Sequence, residues 1–324
     1  MSEVELDPEI AALLAQEEGS GGVALEELGP EQARRDYELR AREQFGPVAE
    51  LGSVEDVELD GVPARVYTPL APAGGALVYF HGGGWVIGSV DSHDGVTRAF
   101  ADRASCVVVS VDYRLAPEHR FPAALEDAWR AARWVRRYPD EFGVDPARIA
   151  VGGDSAGGTL AAVVARMGRD HALPFAAQLL LYPVVTTCSE APSWSLFANG
   201  YGLSSASMEW YGRQYLGDVD GAADPDVSPL ALGDLRGLPR AVVVTAEADV
   251  LRDDAEEYAR RLELAGVEAE LRRYEGMIHG FLRMPGVVAR AETALSEIAD
   301  SLRAALAQRE TVRTTPLATR EVAD

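Results

Sequence analysis

From residue 76 onward, short apolar runs alternate with helical stretches. The runs are Ala76–Phe80, Val107–Val111, Ile149–Val151, Ala177–Tyr182 and Ala241–Ala246, with Glu268–Tyr274 as a more polar sixth. Helical patterns lie between and after them, at Val96–Ala104, Pro122–Arg137, Gly157–Arg169, Asp253–Ala265 and Val287–Leu306. Strands without a polar face need cover on both sides. The pattern therefore predicts an α/β chain, a mostly parallel central sheet flanked by helices. Upstream, Val54–Leu59 and Val62–Thr68 flank Asp60-Gly61, the mark of a hairpin with a tight turn. Residues 7–45 read as helical, starting at Asp7-Pro8-Glu9 and resuming over Glu31–Gln44. Either Gly19–Gly22 or the pair Gly29-Pro30 breaks them.

The alternation fails between Thr186 and Leu238, a span rich in Ser, Gly, Asp and aromatics. An insertion between two core strands is a natural lid. Five stretches are thus expected: an N-terminal helical cap segment (1–50), a first part of the core (51–185), a cap insertion (186–238), a second part of the core (239–308) and a flexible tail (309–324).

Charge narrows the function. The 324 residues hold 30 basic and 52 acidic side chains, a net charge of −22. Such a surface repels phosphate, so neither nucleic acid nor an anionic membrane is expected as a partner. Every basic residue is arginine. Without lysine there is no Schiff-base or pyridoxal-phosphate chemistry and no lysine-bearing phosphate loop. Coding bias in a GC-rich genome accounts for this more simply than adaptation to high salt. Cys106 and Cys188 have no metal-ligand spacing, and there is no His-Glu-x-x-His, so no metal or cofactor is expected. The acidic N-terminus lacks the features of a signal peptide, and no stretch approaches the ~18 apolar residues of a membrane span. A soluble, cytoplasmic protein is expected.

The chemistry-bearing signals lie at the ends of the apolar runs. Gly153-Asp154-Ser155-Ala156-Gly157 follows one strand and opens a helix. A serine between glycines at a strand-to-helix turn is a nucleophile elbow, with its hydroxyl aimed out of the sheet. His81-Gly82-Gly83-Gly84-Trp85 follows another strand, and its glycines let backbone N–H groups approach a developing oxyanion. A serine needs a base. Of five histidines, His279 in Gly276–Phe281 lies at a strand's C-terminal end, where open sheets place their sites. His81 reads as structural, while His93 and His119 read as hydrogen-bonding or exposed loop residues. The base needs an acid to orient it. Asp249 falls in the loop after Ala241–Ala246, whereas Asp253 and Asp254 open the next helix. Asp249 is the candidate, with Glu247 and Asp253 as rivals.

On these motifs the chain resembles the bacterial hormone-sensitive-lipase-like (family IV) carboxylesterases of the α/β-hydrolase fold. The matching stretches are His81–Trp85, Asp112–Glu118, Gly153–Gly158, Asp249–Asp253 and Gly276–Phe281, in the family's order and spacing. The resemblance implies a triad of Ser155, Asp249 and His279, and an oxyanion hole from the N–H groups of Gly83, Gly84 and Ala156. It implies a serine carboxylesterase that cleaves short- to medium-chain esters through an acyl-enzyme on Ser155. The partner would be a small-molecule ester, and dimers are frequent among such proteins. Two alternatives stay open: an amidase or small-peptide hydrolase on the same fold, and a non-catalytic ligand-binding member. The plant gibberellin receptor, which resembles this family, has lost the histidine that His279 would supply here. Asp112–Glu118 has no place in the proton chemistry and reads as a brace, with Arg114 and Glu118 as an expected pair.

Overall fold

The computed structural model describes residues 4–19 and 27–307. Eight strands form one sheet: β1 (Ser53–Leu59), β2 (Val62–Thr68), β3 (Ala76–Phe80), β4 (Val107–Val111), β5 (Ile149–Asp154), β6 (Ala177–Leu181), β7 (Arg240–Ala248) and β8 (Ala269–Ile278). Their spatial order is β1-β2-β4-β3-β5-β6-β7-β8. β2 runs antiparallel to both its neighbours, and from β4 to β8 the sheet is parallel. The hairpin turns at Asp60 and Gly61, both with positive φ (52° and 82°), which matches the twist of the strands it joins.

Every residue of β3, β4, β5 and β6 is buried, as expected of strands covered on both faces. Five helices supply that cover: α3 (Asp94–Ala104), α4 (Ala123–Arg137), α5 (Ala156–Asp170), α8 (Arg252–Leu264) and α9 (Ala289–Ala307). α3 packs on α9, and α4 packs on α5. None of the helices among the described residues is long and apolar enough to cross a membrane.

Two helices precede the sheet, α1 (Pro8–Gly19) and α2 (Pro30–Phe45), and two short ones interrupt it after β6, α6 (Pro192–Leu196) and α7 (Ser205–Leu216). Asp7 opens α1 by accepting the Glu9 N–H, and Pro30 occupies the first turn of α2. Part of the glycine run named as a helix breaker, and the expected tail 309–324, lie outside the described residues.

The strand order dictates where a ligand can go. From β3 the chain moves to β4 on one side and then crosses to β5 on the other. The loops that follow β3 and β5 therefore diverge and leave a crevice at the sheet's C-terminal edge. The glycine loop leaves β3 and the serine elbow leaves β5, so both motifs meet at that crevice.

Candidate active site

Ser155 stands between β5 and α5 with φ 54° and ψ −119°. Few non-glycine residues adopt a positive φ, and this strain lifts the side chain clear of the sheet. The tight turn requires small neighbours. A Cβ on Gly157 would lie 1.9 Å from the Phe80 carbonyl oxygen, so only glycine lets α5 start this close to β3.

His279 follows β8 directly. Its Nε2 lies 2.9 Å from Ser155 Oγ and its Nδ1 lies 2.7 Å from Asp249 Oδ2. Asp249 follows β7, is 2% exposed, and accepts the Leu251 N–H through its other oxygen. The three residues converge from three strand ends into one hydrogen-bonded chain. With Nδ1–H donated to the aspartate, Nε2 is left to take the serine proton, the arrangement that turns a hydroxyl into a nucleophile. The rival acids have other tasks. Glu247 accepts the Gly276 N–H at 2.8 Å. Asp253 accepts the Ser193 N–H at 2.9 Å, and Asp254 accepts Ser189 Oγ and Trp194 Nε1. These last two acids tie the insertion to α8. Asp253 does not cap the helix, whose N-cap position is Leu251.

Gly83 and Gly84 face the same cavity as Ser155 and His279. Their φ values are 118° and 59°, and a Cβ on Gly84 would lie 2.2 Å from the Tyr211 ring. The backbone can thus approach a ligand here as no residue with a side chain could. Among the described residues, no backbone carbonyl takes the N–H of either glycine. Ala156 is the first residue of α5 and fully buried, so its N–H belongs to the helix N-terminus beside the serine.

A polar network under this loop was not legible in the motifs. Asp154 Oδ1 accepts the Tyr79 hydroxyl at 2.7 Å and the Gly82 N–H at 2.8 Å, while Oδ2 lies 3.2 Å from His93 Nε2. Burial alone would raise the Asp154 carboxyl. The neighbouring His93, with the hydrogen bonds from His93 and Tyr79, instead holds it well below the usual range. His93, read as a loop residue, is fully buried in this network. His81 stacks on Tyr113 with centroids 4.2 Å apart, and its Nδ1 lies 2.8 Å from the Gly82 carbonyl. Burial, with His93 nearby, pushes its pKa down to about 3, so the ring is neutral and structural.

The Asp112–Glu118 brace exists, but its expected pair does not. Arg114 binds Asp127 at 2.7 Å, on α4. Glu118 binds Arg34 of α2 at 2.7 Å. Arg34 also donates to the carbonyls of Val86 (2.8 Å) and Ala116 (2.9 Å). One guanidinium therefore fastens the N-terminal segment to the end of the glycine loop. On the other side, Trp85 stacks on Tyr215 of α7, with centroids 4.5 Å apart. Above Ser155 these elements border a partly open cavity of about 520 Å³, whose walls include Leu13, Leu28, Tyr37, Met208 and Tyr211.

Known proteins resemble this chain in sequence and fold. A family model described as the alpha/beta hydrolase fold matches residues 77–283. The ethyl acetate hydrolase of Pseudomonas putida is 37% identical over 92% of this chain and 98% of its own length. The carboxylic ester hydrolase LipN of Mycobacterium tuberculosis is 42% identical over 79% of this chain and 71% of its own. Among solved structures, the hyperthermophilic esterase of the archaeon Pyrobaculum calidifontis superposes with a TM-score of 0.88 at 41% identity, covering 94% of this chain and 100% of that one.

Proposed function

Since the chain belongs to the hormone-sensitive-lipase-like family of α/β hydrolases, we propose that it is a serine carboxylesterase acting on small-molecule esters, with Ser155, His279 and Asp249 as its catalytic triad. The observation that carries this reading is the unbroken chain Asp249–His279–Ser155, with contacts of 2.7 and 2.9 Å, at the wall of a cavity of about 520 Å³. Ser155 Oγ attacks the ester carbonyl as His279 Nε2 takes its proton. Asp249 holds the imidazole in the required tautomer and stabilises its cation. The N–H groups of Gly83, Gly84 and Ala156 receive the oxyanion, each such donor contributing about 3 kcal/mol at the transition state. His279 then protonates the departing alkoxide. An acyl-enzyme remains on Ser155, and a water activated by His279 releases the acid.

The N-terminal segment and the insertion together act as the cap. Leu13 and Tyr37 from one, and Met208 and Tyr211 from the other, line the cavity, which supports that division. A pocket of this size, about 520 Å³, favours short to medium acyl chains. Each added methylene gains about 0.8 kcal/mol until the pocket is full, so kcat/KM rises with length and then falls. A cytoplasmic homodimer completes the proposal. Cys106 and Cys188 are both free, as suits a reducing compartment.

The test is a panel of p-nitrophenyl esters run beside Ser155→Ala and organophosphate labelling. The expected result is stoichiometric labelling of Ser155 and a loss of ~10⁴-fold or more in kcat for the variant. A variant that keeps a tenth of the activity would overturn the assignment.

A further inference from the structure

The cavity wall opposite the glycine loop carries a charged group that the ester chemistry does not use. Arg283 lies four residues beyond His279, in the short turn Phe281–Arg283 that follows Gly280. Its guanidinium carbon sits 4.2 Å from the centre of the Tyr37 ring, and both residues line the cavity with Ser155 and His279. It reaches back toward the histidine: a Cβ on Gly280 would lie 3.3 Å from its Nη2.

Among the described residues, the backbone N–H of Arg283 reaches the Gly280 carbonyl at 3.1 Å, but its guanidinium forms no ion pair and donates no hydrogen bond. This distinguishes it from Arg34, which spends its donors on Glu118, Val86 and Ala116. Ionised Asp154 attracts it from a distance, but among the described residues no carboxylate on the cavity forms an ion pair with it. Asp154 is already taken by Tyr79, Gly82 and His93. Glu17, which also lines the cavity, has a contact of its own. Arg40, which also lines the cavity, adds a second positive charge and, among the described residues, bonds only within its own helix, at the Asp36 carbonyl. The Tyr37 ring fixes one face of the guanidinium, and the edge that carries the donors is left for whatever fills the cavity.

A half-buried guanidinium with a planar fork of unused N–H groups is costly to leave bare. Its geometry matches a carboxylate, which it can bind through two parallel hydrogen bonds. Arg283 and Arg40 place two positive charges on the cavity lining of a chain whose net charge is −22.

We propose that Arg283 makes the pocket selective for esters that carry a free carboxylate, the carboxylate docking on the guanidinium while the ester carbonyl lies at Ser155. This rests on the carboxylesterase reading and adds the substrate's charge to it. The shared chemistry is the carboxylate, whether on the acyl or the alcohol side of the scissile bond.

The experiment compares kcat/KM for matched anionic and neutral substrates. On the acyl side, the mono-p-nitrophenyl ester of adipic acid is paired with its methyl-capped form. On the alcohol side, 4-acetoxybenzoate is paired with 4-acetoxybenzamide. In the wild-type chain the anionic member of at least one pair should be the better substrate. In Arg283→Gln the anionic-to-neutral ratio for that pair should fall about tenfold or more, the worth of a charge-assisted bidentate contact. Arg283→Lys, which keeps the charge but not the fork, should fall between. Inhibition of the wild-type chain gives a readout that needs no variant: adipate should compete with a neutral ester more strongly than 1,6-hexanediol does. Equal ratios in wild type and Arg283→Gln for both pairs, or equal inhibition by adipate and hexanediol, overturn the proposal. Failure to turn over even the neutral esters in the wild-type chain overturns the esterase reading itself, and is distinct from neutral turnover without an anionic preference.

Discussion

The carboxylate of Asp154 accepts the backbone N–H of Gly82 at 2.8 Å, so the residue before the serine holds the first glycine of the loop across the crevice. The two halves of the site leave different strands, β3 and β5, and this bond fixes the distance between them. Tyr79 and His93 keep the acceptor ionised and oriented.

Asp154→Ala removes the partner of three buried donors. The expected cost is about 3 kcal/mol of stability, since each donor is left unsatisfied or unpaired. Glycine-loop misplacement should also lower kcat about tenfold or more. Urea unfolding and steady-state kinetics on the same preparation check both. An unaltered kcat would show that the loop keeps its position without this bond.

Stability should fall with acid over a window set by His81. Its pKa is pushed from 6.5 down to about 3 in the folded chain. Between these values the unfolded chain binds the extra proton and the folded chain does not, so stability rises with pH. The contribution is complete above 6.5 and is lost as pH drops toward 3. Asp154, held below its ordinary range, adds a further loss under about pH 4 by the same sign. Melting curves should show this slope, and His81→Asn should flatten its upper part.

The acids near α8 should separate cleanly. Asp249→Asn favours the wrong histidine tautomer and should lower kcat by about four orders of magnitude. Asp253→Asn weakens only the contact to Ser193 and the pair with Arg252, costing about 1 kcal/mol of stability and less than tenfold in kcat. Kinetic damage that followed Asp253 would shift the acid by one helical turn.

The N-terminal segment should prove part of the pocket. Arg34→Met breaks its bonds to Val86, Ala116 and Glu118, an expected loss of about 2 kcal/mol. Deleting residues 1–40 removes Leu13, Leu28 and Tyr37 from the cavity wall. Activity should drop and the acyl-length optimum should move. An unchanged profile in the truncated chain would make these helices an appendage.

Salt should have a small effect. If the lysine-free composition reflects coding bias, molar sodium chloride raises Tm modestly by screening a net charge of −22. A requirement for molar salt to remain folded would point to adaptation instead.

The sheet was readable because its strands are buried on both faces, which leaves continuous apolar runs. β3 and β4 begin and end where those runs do, at Ala76–Phe80 and Val107–Val111. β8 was read four residues short. Its last stretch to Ile278 crosses Gly276 and carries the strand up to His279. The convergence of Ser155, Asp249 and His279 was legible because the proposed chemistry would demand those residue types at strand ends. The supporting contacts were not. Arg34 meets Glu118 across 84 residues, and His93 meets Asp154 across 61. A mixed-charge helix and a loop histidine look the same whether or not such a partner exists. The error over Arg114 has the same origin. Glu118 was close in sequence, but Asp127, brought in by α4, was close in space.

Besides the Arg34 contacts, the N-terminal segment is seated by parts of the chain that come late. The Asp7 N–H reaches the Gly276 carbonyl at 3.1 Å, Glu9 accepts the Ala289 N–H at 2.7 Å, and the Gly286 N–H reaches the Gln44 carbonyl at 2.9 Å. During translation α1 and α2 leave the ribosome first, yet their docking surface is finished only when β8 and the turn after it have followed. At ~5–20 residues per second the wait is on the order of tens of seconds. These two helices are therefore fully seated only late in synthesis, although Arg34 can meet Val86, Ala116 and Glu118 well before then.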